Sequence, residues 1–361
     1  VTDARTPGRP WQRRFYEGLR PTLFLADPEA IHDWTLTAVR KVAEGSYGRS
    51  FLSHLVRDEP TGSWAARAPG EHMGLRFRNP VGLGAGFDTD GEALAGWAAL
   101  GLGFAEIGTV TPNPQAGSPR PRLWRLGEDQ ALVNRMGFNN GGAAAVVDRV
   151  ARARHFLPPD FVIGVSIGRG AATPDDRAEA DYLDVARAAA PVADYLAVNV
   201  SSPNTEGIDA LREPRRLADL VTALDAVEPR RPLVVKLPPD QVNDELKTLV
   251  DALAETPVAG LILSNTSRAR SGLRTPVPPG AELGGLSGRP LLPGMLAALA
   301  SVRSVADDRF TLIASGGILS GDDARQARDA GADLVQVWTG LVFAGPGLIG
   351  EVVEALTSAS I

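Results

Sequence analysis

Five uncharged hydrogen-bonding side chains fall within seven positions of this 361-residue chain: Asn199, Ser201, Ser202, Asn204 and Thr205. An apolar stretch runs into the cluster, Pro203 sits inside it, and no His or Cys lies beside it. Amides and hydroxyls offer donors and acceptors without charge, which suits a flat polar ring. A divalent cation would ask for carboxylates. A hydroxyl can also take a proton from such a ring, so the cluster raises both holding and reacting.

Comparable groups close other apolar segments. They include "GAGFDTDG" (84–91), "GTVTPNPQ" (108–115), "SIGRG" (166–170), "SNTS" (264–267), "SGG" (315–317) and "WTG" (338–340). Lys236 interrupts "LVVKL" (233–237), where a charge is costly unless it meets a partner. That partner is either a neighbouring carboxylate or the electron-rich edge of a reduced flavin. The small residues of "SGG" and "WTG" let backbone N–H groups approach an anion, and the two together favour a phosphate. A phosphate end plus a bank of amides implies a phosphorylated aromatic cofactor, of which FMN fits best. "GLGAG" (82–86) has the wrong glycine spacing for a nicotinamide fingerprint.

The segments that must position these groups alternate in type. Eight short apolar runs (81–86, 104–110, 161–168, 195–201, 233–237, 260–265, 310–317, 334–340) are separated by helical stretches such as 91–100, 178–190, 213–226, 242–254 and 346–357. Continuous apolar runs mark strands buried on both faces. Eight β/α units predict a closed (β/α)8 TIM barrel, whose functional groups lie at the C-terminal strand ends. Residues 73–80 read as a small extra strand pair before the barrel, and 58–72 as a linker. Residues 11–56 carry helical periodicity as two amphipathic helices, with Asp27 as N-cap and Pro28 opening the second. Those helices either simply dock on the barrel or present an apolar face to a membrane surface. The expected division is an N-terminal helical extension with its linker over 1–70 and the barrel over 71–361.

Composition narrows the classes further. Hydrophobic residues make up 44% and charged ones 22%, with a net charge of −6, so no nucleic-acid footprint is expected. The chain has no cysteine and four histidines without ligand spacing, so no metal is expected. With no signal peptide and no long apolar run, the expected location is cytoplasmic.

The motifs "GTVTPNPQ", "NRMGFNN" (134–140), "NVSSPNT" (199–205), "SNT" (264–266) and "GGLSGRPL" (284–291) resemble the signatures of dihydroorotate dehydrogenase, in its membrane-associated, quinone-using class. The resemblance spans roughly 25–350 in order. It implies FMN-dependent oxidation of a dihydropyrimidine in pyrimidine biosynthesis, with a quinone as electron acceptor and peripheral membrane contact through the N-terminal helices, at the cytoplasmic face of the inner membrane. By matched position, Ser202 would be the base, with Thr205 and Phe138 around it. Asn134, Asn199, Asn204, Asn265 and Thr266 would bind substrate. Ala85, Gly86, Thr109, Ser166, Asn199, Lys236, Ser264, Gly288, Gly317, Trp338 and Thr339 would contact the flavin, and His32 and Arg120 would line the quinone tunnel.

This chain departs from the family pattern in three places. Thr89 stands where the family carries a lysine between flavin and substrate. Ser166 replaces an asparagine, and Arg169-Gly170 replaces Lys-Asn. A lysine would supply a charge-assisted hydrogen bond, about twice as strong as a neutral one. Three readings follow: a dihydroorotate dehydrogenase that tolerates Thr89, a divergent flavin enzyme for another dihydropyrimidine or cyclic amide, and a non-catalytic flavin-binding relative. Retention of Ser202, Thr205 and Phe138 argues against the last.

Overall fold

The segments Val162–Ile167 and Leu233–Leu237 are buried at every residue, so both of their faces need cover. A parallel sheet wrapped in helices gives it. In the computed structural model, which describes residues 11–56, 69–201, 208–240, 244–306 and 308–357, eight such strands close into a barrel. Numbered along the chain, the strands are β1 (Gly70–His72), β2 (Leu75–Phe77), β3 (Val81–Leu83), β4 (Phe104–Val110), β5 (Leu123–Leu126), β6 (Ala131–Asn134), β7 (Val162–Ile167), β8 (Tyr195–Asn199), β9 (Leu233–Leu237), β10 (Val258–Leu263), β11 (Gly285–Gly288), β12 (Thr311–Ser315) and β13 (Leu334–Val337). The barrel runs β3-β4-β7-β8-β9-β10-β12-β13 with parallel neighbours throughout, and β13 returns to β3. The (β/α)8 expectation is met, with strand boundaries within a few residues of those read from sequence.

Side chains alternate in and out of a barrel strand, so inward positions come every second residue. At the N-terminal end those positions form a closed apolar plug: Phe104, Val162, Tyr195, Val234, Ile262, Ile313 and Leu334, capped by Phe77. Gly164 makes room for it, since a Cβ there would lie 2.0 Å from the Tyr195 ring. The cap comes from the hairpin β1–β2, whose turn residues Met73 and Gly74 have φ of 56° and 70°. Positive φ at both centres matches a type I′ turn. The strand pair expected over 73–80 therefore lies at 70–77, because the tight turn falls on Met73-Gly74. Asn79 follows it, accepting from the Val81 N–H at 3.0 Å as β3 begins.

The N-terminal region forms three helices where two were expected: α1 (Trp11–Leu23), α2 (Pro28–Ala43) and α3 (Ser46–His54). Extended backbone at Gly45 separates the last two. The Asp27 carboxylate accepts from the Ala30 N–H at 2.9 Å with Pro28 next to it, the N-cap anticipated from "LADPEA". The helices are bolted to the barrel by polar contacts. Tyr16 donates to the Val342 carbonyl at 2.8 Å, and Arg20 to that of Phe343 at 2.6 Å. Glu29, at the start of α2, is buried and accepts from Arg122 at 2.8 Å. The linker expected over 58–72 lies outside the described residues except at its end.

An antiparallel sheet, β11-β6-β5, stands beside the barrel mouth and has no counterpart in the sequence reading. It carries Asn134, Ser287 and Gly288 over the C-terminal strand ends.

Candidate active site at the barrel mouth

The cavity at the C-terminal ends of the strands is lined by nearly every residue singled out from the sequence. Ala85, Gly86 and Thr89 come from the loop after β3, Thr109 from β4, Asn199 from β8 and Lys236 from β9. Ser264, Asn265 and Thr266 follow β10, Gly317 follows β12, and Trp338 and Thr339 follow β13. The side sheet adds Asn134 and Gly288, the loop after it Phe138, and α2 His32. Ser202, Asn204 and Thr205 lie outside the described residues.

Two of the expected residues sit elsewhere. Ser166 does not line the cavity. It is fully buried behind Thr109, with the two hydroxyls 2.9 Å apart. Serine is too short to pass its neighbour and reach the cavity. Arg120 lies on the surface, where its guanidinium meets Glu29 at 2.9 Å and Asp33 at 3.5 Å. It reinforces the anchorage of α2.

A hydrogen-bonded mesh fixes the amide bank. Asn199 donates to Thr109 Oγ1 at 2.8 Å, and Asn265 donates to Ser201 Oγ at 2.9 Å and Asn199 Oδ1 at 3.3 Å. Tyr182 holds the end of β8 by donating to the Asn199 carbonyl at 2.7 Å. Buried amides linked in this way keep one orientation, so the donors they present are preorganised. Asp88 performs the same service for the loop bearing Thr89, accepting from the N–H groups of Glu92 and Ala93 and from Trp97 Nε1 at 2.7, 2.9 and 2.9 Å. Phe138 has a φ of 52°, a conformation uncommon for a bulky residue, and Asn140 secures it by donating to its carbonyl at 2.8 Å.

The opposite end of the cavity is built from backbone. Gly317 has a φ of 80°, and a Cβ there would lie 2.6 Å from Leu292. At Gly288, with φ of 96°, a Cβ would come within 2.3 Å of the Gln130 carbonyl. Neither position admits a side chain, so peptide groups face the cavity there beside the paired hydroxyls of Ser287 and Thr339, 2.8 Å apart. Toward the helical extension the wall becomes aromatic. Trp338 lies 4.9 Å from Phe87 between ring centroids, and His32 lies parallel to Trp338 at 6.3 Å while contacting the Phe87 carbonyl at 2.6 Å.

Four residues under the floor belong to one polar cluster, of which only Lys236 drew attention in the sequence. Lys236 Nζ lies 3.8 Å from Glu106 Oε1, and the carboxylate is completely buried. Glu106 Oε2 accepts from Gln336 at 2.9 Å and from Tyr195 at 3.1 Å. Burial first, then the Glu106 charge, holds the Tyr195 phenol well above its ordinary value, so it remains a neutral donor. The carboxylate partner considered for Lys236 is thus present, and the ammonium also faces the cavity. The signal for Glu106 was a charged residue at an inward position of the otherwise apolar "FAEIGTV".

Among the described residues no cluster of His, Cys, Asp or Glu could hold a metal ion, and no helix is long and apolar enough to cross a membrane.

Residues 69–359 match the family model of dihydroorotate dehydrogenase. A relative from Mycobacterium sp. (strain KMS), named dihydroorotate dehydrogenase (quinone), is 43% identical over 333 residues, 91% of this chain and 90% of its own. A protein of the same name from Cupriavidus taiwanensis is 40% identical, covering 94% of this chain and 98% of its own. The crystal structure of DHODH in complex with ferulenol from Eimeria tenella superposes with a TM-score of 0.80 at 33% identity, over 91% of this chain and 90% of that one. A closed β/α barrel with a polar cavity at its mouth defines the general class, and these matches settle the family: the chain belongs to the dihydroorotate dehydrogenases. The family is flavin-dependent. The cavity suits such a group, with uncharged amides and one ammonium for the edges of a flat heterocycle and exposed peptide groups for a phosphate.

Proposed function

We propose that this chain is a quinone-dependent dihydroorotate dehydrogenase, oxidising dihydroorotate to orotate with FMN as its flavin. The observation that carries the reading is the cavity itself. It joins an amide bank, a buried ammonium and a side-chain-free glycine end on one barrel mouth, in a chain about 40% identical to proteins of that name. The divergent reading suggested by Thr89 and Ser166 has less support, because all those relatives carry the dihydroorotate name over nine-tenths or more of this chain.

Bound FMN supplies the acceptor for a hydride taken from one ring carbon. The chain's own residues orient the ring and remove the proton from the adjacent carbon. Asn134, Asn199, Asn204, Asn265, Thr266 and Thr89 hold the ring and its carboxylate. Ser202 takes the proton, and Thr205 and Phe138 assist it. A serine hydroxyl is a weak base, so its geometry and exit path for the proton matter more than its pKa. Ala85, Gly86, Thr109, Lys236, Ser264 and Trp338 hold the flavin ring, and Gly288, Gly317 and Thr339 hold its phosphate. Ser166 acts through Thr109.

The extension, residues 1–70, handles the second half-reaction and the barrel, 71–361, the first. His32, Phe87 and Trp338 form the aromatic route between them. Peripheral contact with the cytoplasmic face of a membrane is supported by Trp11, Phe15 and Leu19, exposed at four-residue intervals along α1, and by exposed Leu25 and Trp34. Arg14, Arg40 and Lys41 are exposed nearby and would meet anionic headgroups.

The test is anaerobic mixing of the purified protein with dihydroorotate while following the flavin's visible band. Bleaching, followed by recovery when a quinone is added, is the expected result. A bound flavin that stays oxidised at millimolar dihydroorotate would overturn the substrate assignment.

A further inference from the structure

A second cleft, of about 440 Å³, lies between α3, the helix α4 (Leu94–Ala99), the segment joining β2 to β3 and the single-turn helix Arg154–Phe156. That volume is within the range of small-ligand sites. The cleft shares no lining residue with the barrel mouth. Arg49, Arg78 and His155 are the basic residues on its wall, and none of its described lining residues is acidic.

Arg78 is the unusual member. Its side chain is only 15% exposed, and its Nε is cut off from solvent without a hydrogen bond. The guanidinium donates to no acceptor among the described residues. The Asp160 carboxylate stands 3.9 Å from Nε, too far for a hydrogen bond. Burial draws the Arg78 pKa below its ordinary value, and the Asp160 charge offsets that only in part. A guanidinium is a fork of five donors, so hiding one without an acceptor is costly unless a ligand brings oxygens. Arg49 donates to the carbonyls of Ala43 and Glu44 at 2.7 and 3.3 Å, and its Cζ lies 6.0 Å from the centre of the Phe156 ring. That ring is exposed.

We propose that this cleft is a second ligand site, which takes a soluble phosphate monoester bearing an aromatic group. Arg78 and Arg49 meet the phosphate oxygens, and the aromatic group lies against Phe156. Three oxygens and up to two negative charges let one phosphate serve both guanidinium groups, where a planar carboxylate suits one. The two guanidinium charges outweigh the single Asp160 carboxylate, so the site favours an anion. A lipid headgroup presents the same oxyanion. On α3, however, the exposed aromatics Tyr47 and Phe51 sit about half a turn round from Arg49 and Ser53, which line the cleft. That helix therefore gives the cleft no apolar rim for lipid chains, which favours the soluble source.

The experiment is equilibrium dialysis of the flavin-loaded protein, saturated with orotate to occupy the barrel mouth, against inorganic phosphate and against phenyl phosphate. The wild type should bind both saturably, with phenyl phosphate the tighter. Arg78→Gln should weaken both by at least about tenfold, the loss of a charge-assisted fork, and leave dihydroorotate oxidation unchanged. Phe156→Ser should remove only the advantage of phenyl phosphate. His155→Glu, at an exposed position, keeps the proposal open to test if Arg78→Gln folds poorly, since a negative charge at the rim should weaken both probes severalfold. No saturable binding by the wild type, or wild-type affinity in Arg78→Gln or His155→Glu, overturns the site. Equal affinity for the two probes overturns the aromatic assignment. Binding to phosphatidic acid vesicles that falls with Arg78→Gln, while phenyl phosphate does not bind, overturns the soluble source in favour of a lipid headgroup.

Discussion

At the lower end of the barrel Phe104, Tyr195, Val234, Ile262, Ile313 and Leu334 fill the interior against one another. Two residues further along the same strands, the inward positions hold Glu106, Ala197, Lys236, Ser264, Ser315 and Gln336, and most of these face an open cavity. The strands are the same, and the difference lies in what each layer must exclude. The plug excludes everything, so it is built from side-chain volume. The mouth must admit a ligand, so it is built from short or polar groups whose orientation is set by hydrogen bonds. Stability and chemistry are thereby placed about two residues apart on each strand.

The sharpest way to break this comparison is from below. Phe104→Ala leaves a cavity in the plug and should cost about 3–5 kcal/mol in urea melts, with the flavin spectrum of the folded fraction unchanged. A loss of flavin without loss of stability would show that the two layers are not separable. From above, Asn265→Ala should lower kcat/KM for dihydroorotate by roughly a hundredfold, about 2.7 kcal/mol, while moving the urea midpoint much less than Phe104→Ala does.

Thr89→Lys probes what the mouth lacks. Among the described residues lining the cavity, Lys236 is the sole ammonium or guanidinium, and Glu106 already faces it. Restoring a cation at position 89 should reduce KM for dihydroorotate by about tenfold, roughly 1.4 kcal/mol. An unchanged KM would mean that the substrate carboxylate is held elsewhere. Asp27→Ala removes the α2 cap and should cost about 1 kcal/mol of stability in thermal melts, a loss confined to the extension and its quinone reduction.

The smallest effect belongs to the hairpin that caps the plug. Burial pushes His72 below its ordinary 6.5, against a weaker upward pull from Asp333. The unfolded chain therefore binds the proton first as pH falls. The contribution of the neutral ring is present above about pH 6.5 and is lost as pH drops through the lower folded value. Urea midpoints at pH 7.5 and 5.5 should show that slope, and His72→Gln should reduce it.

Much of the site was legible because its residues stand at strand ends that apolar runs announce: Asn199, Ser264, Gly317 and Thr339 each follow such a run and each reach the cavity or its rim. Ser166 and Arg120 stand off the cavity for physical reasons. Position 166 lies behind the Thr109 hydroxyl, and position 120 is drawn to the carboxylates of α2. The side sheet escaped notice because its strands are four residues each, too short to show a period, and β11 lies 150 residues from its partner β6. The third N-terminal helix was hidden for a related reason. Its periodicity runs on from α2, and Gly45 alone marks the break.

Local composition settled the barrel, the helical extension, the α2 cap and the chemical character of the mouth, since these follow from which residues are apolar, at what period, and where amides gather. It could not settle which buried charges meet. Glu106 and Lys236 are 130 residues apart, on β4 and β9, which lie three places apart around the barrel one way and five the other. Only closure of the barrel brings them face to face, because a contact across its interior depends on strand register and tilt, which no single stretch of chain encodes.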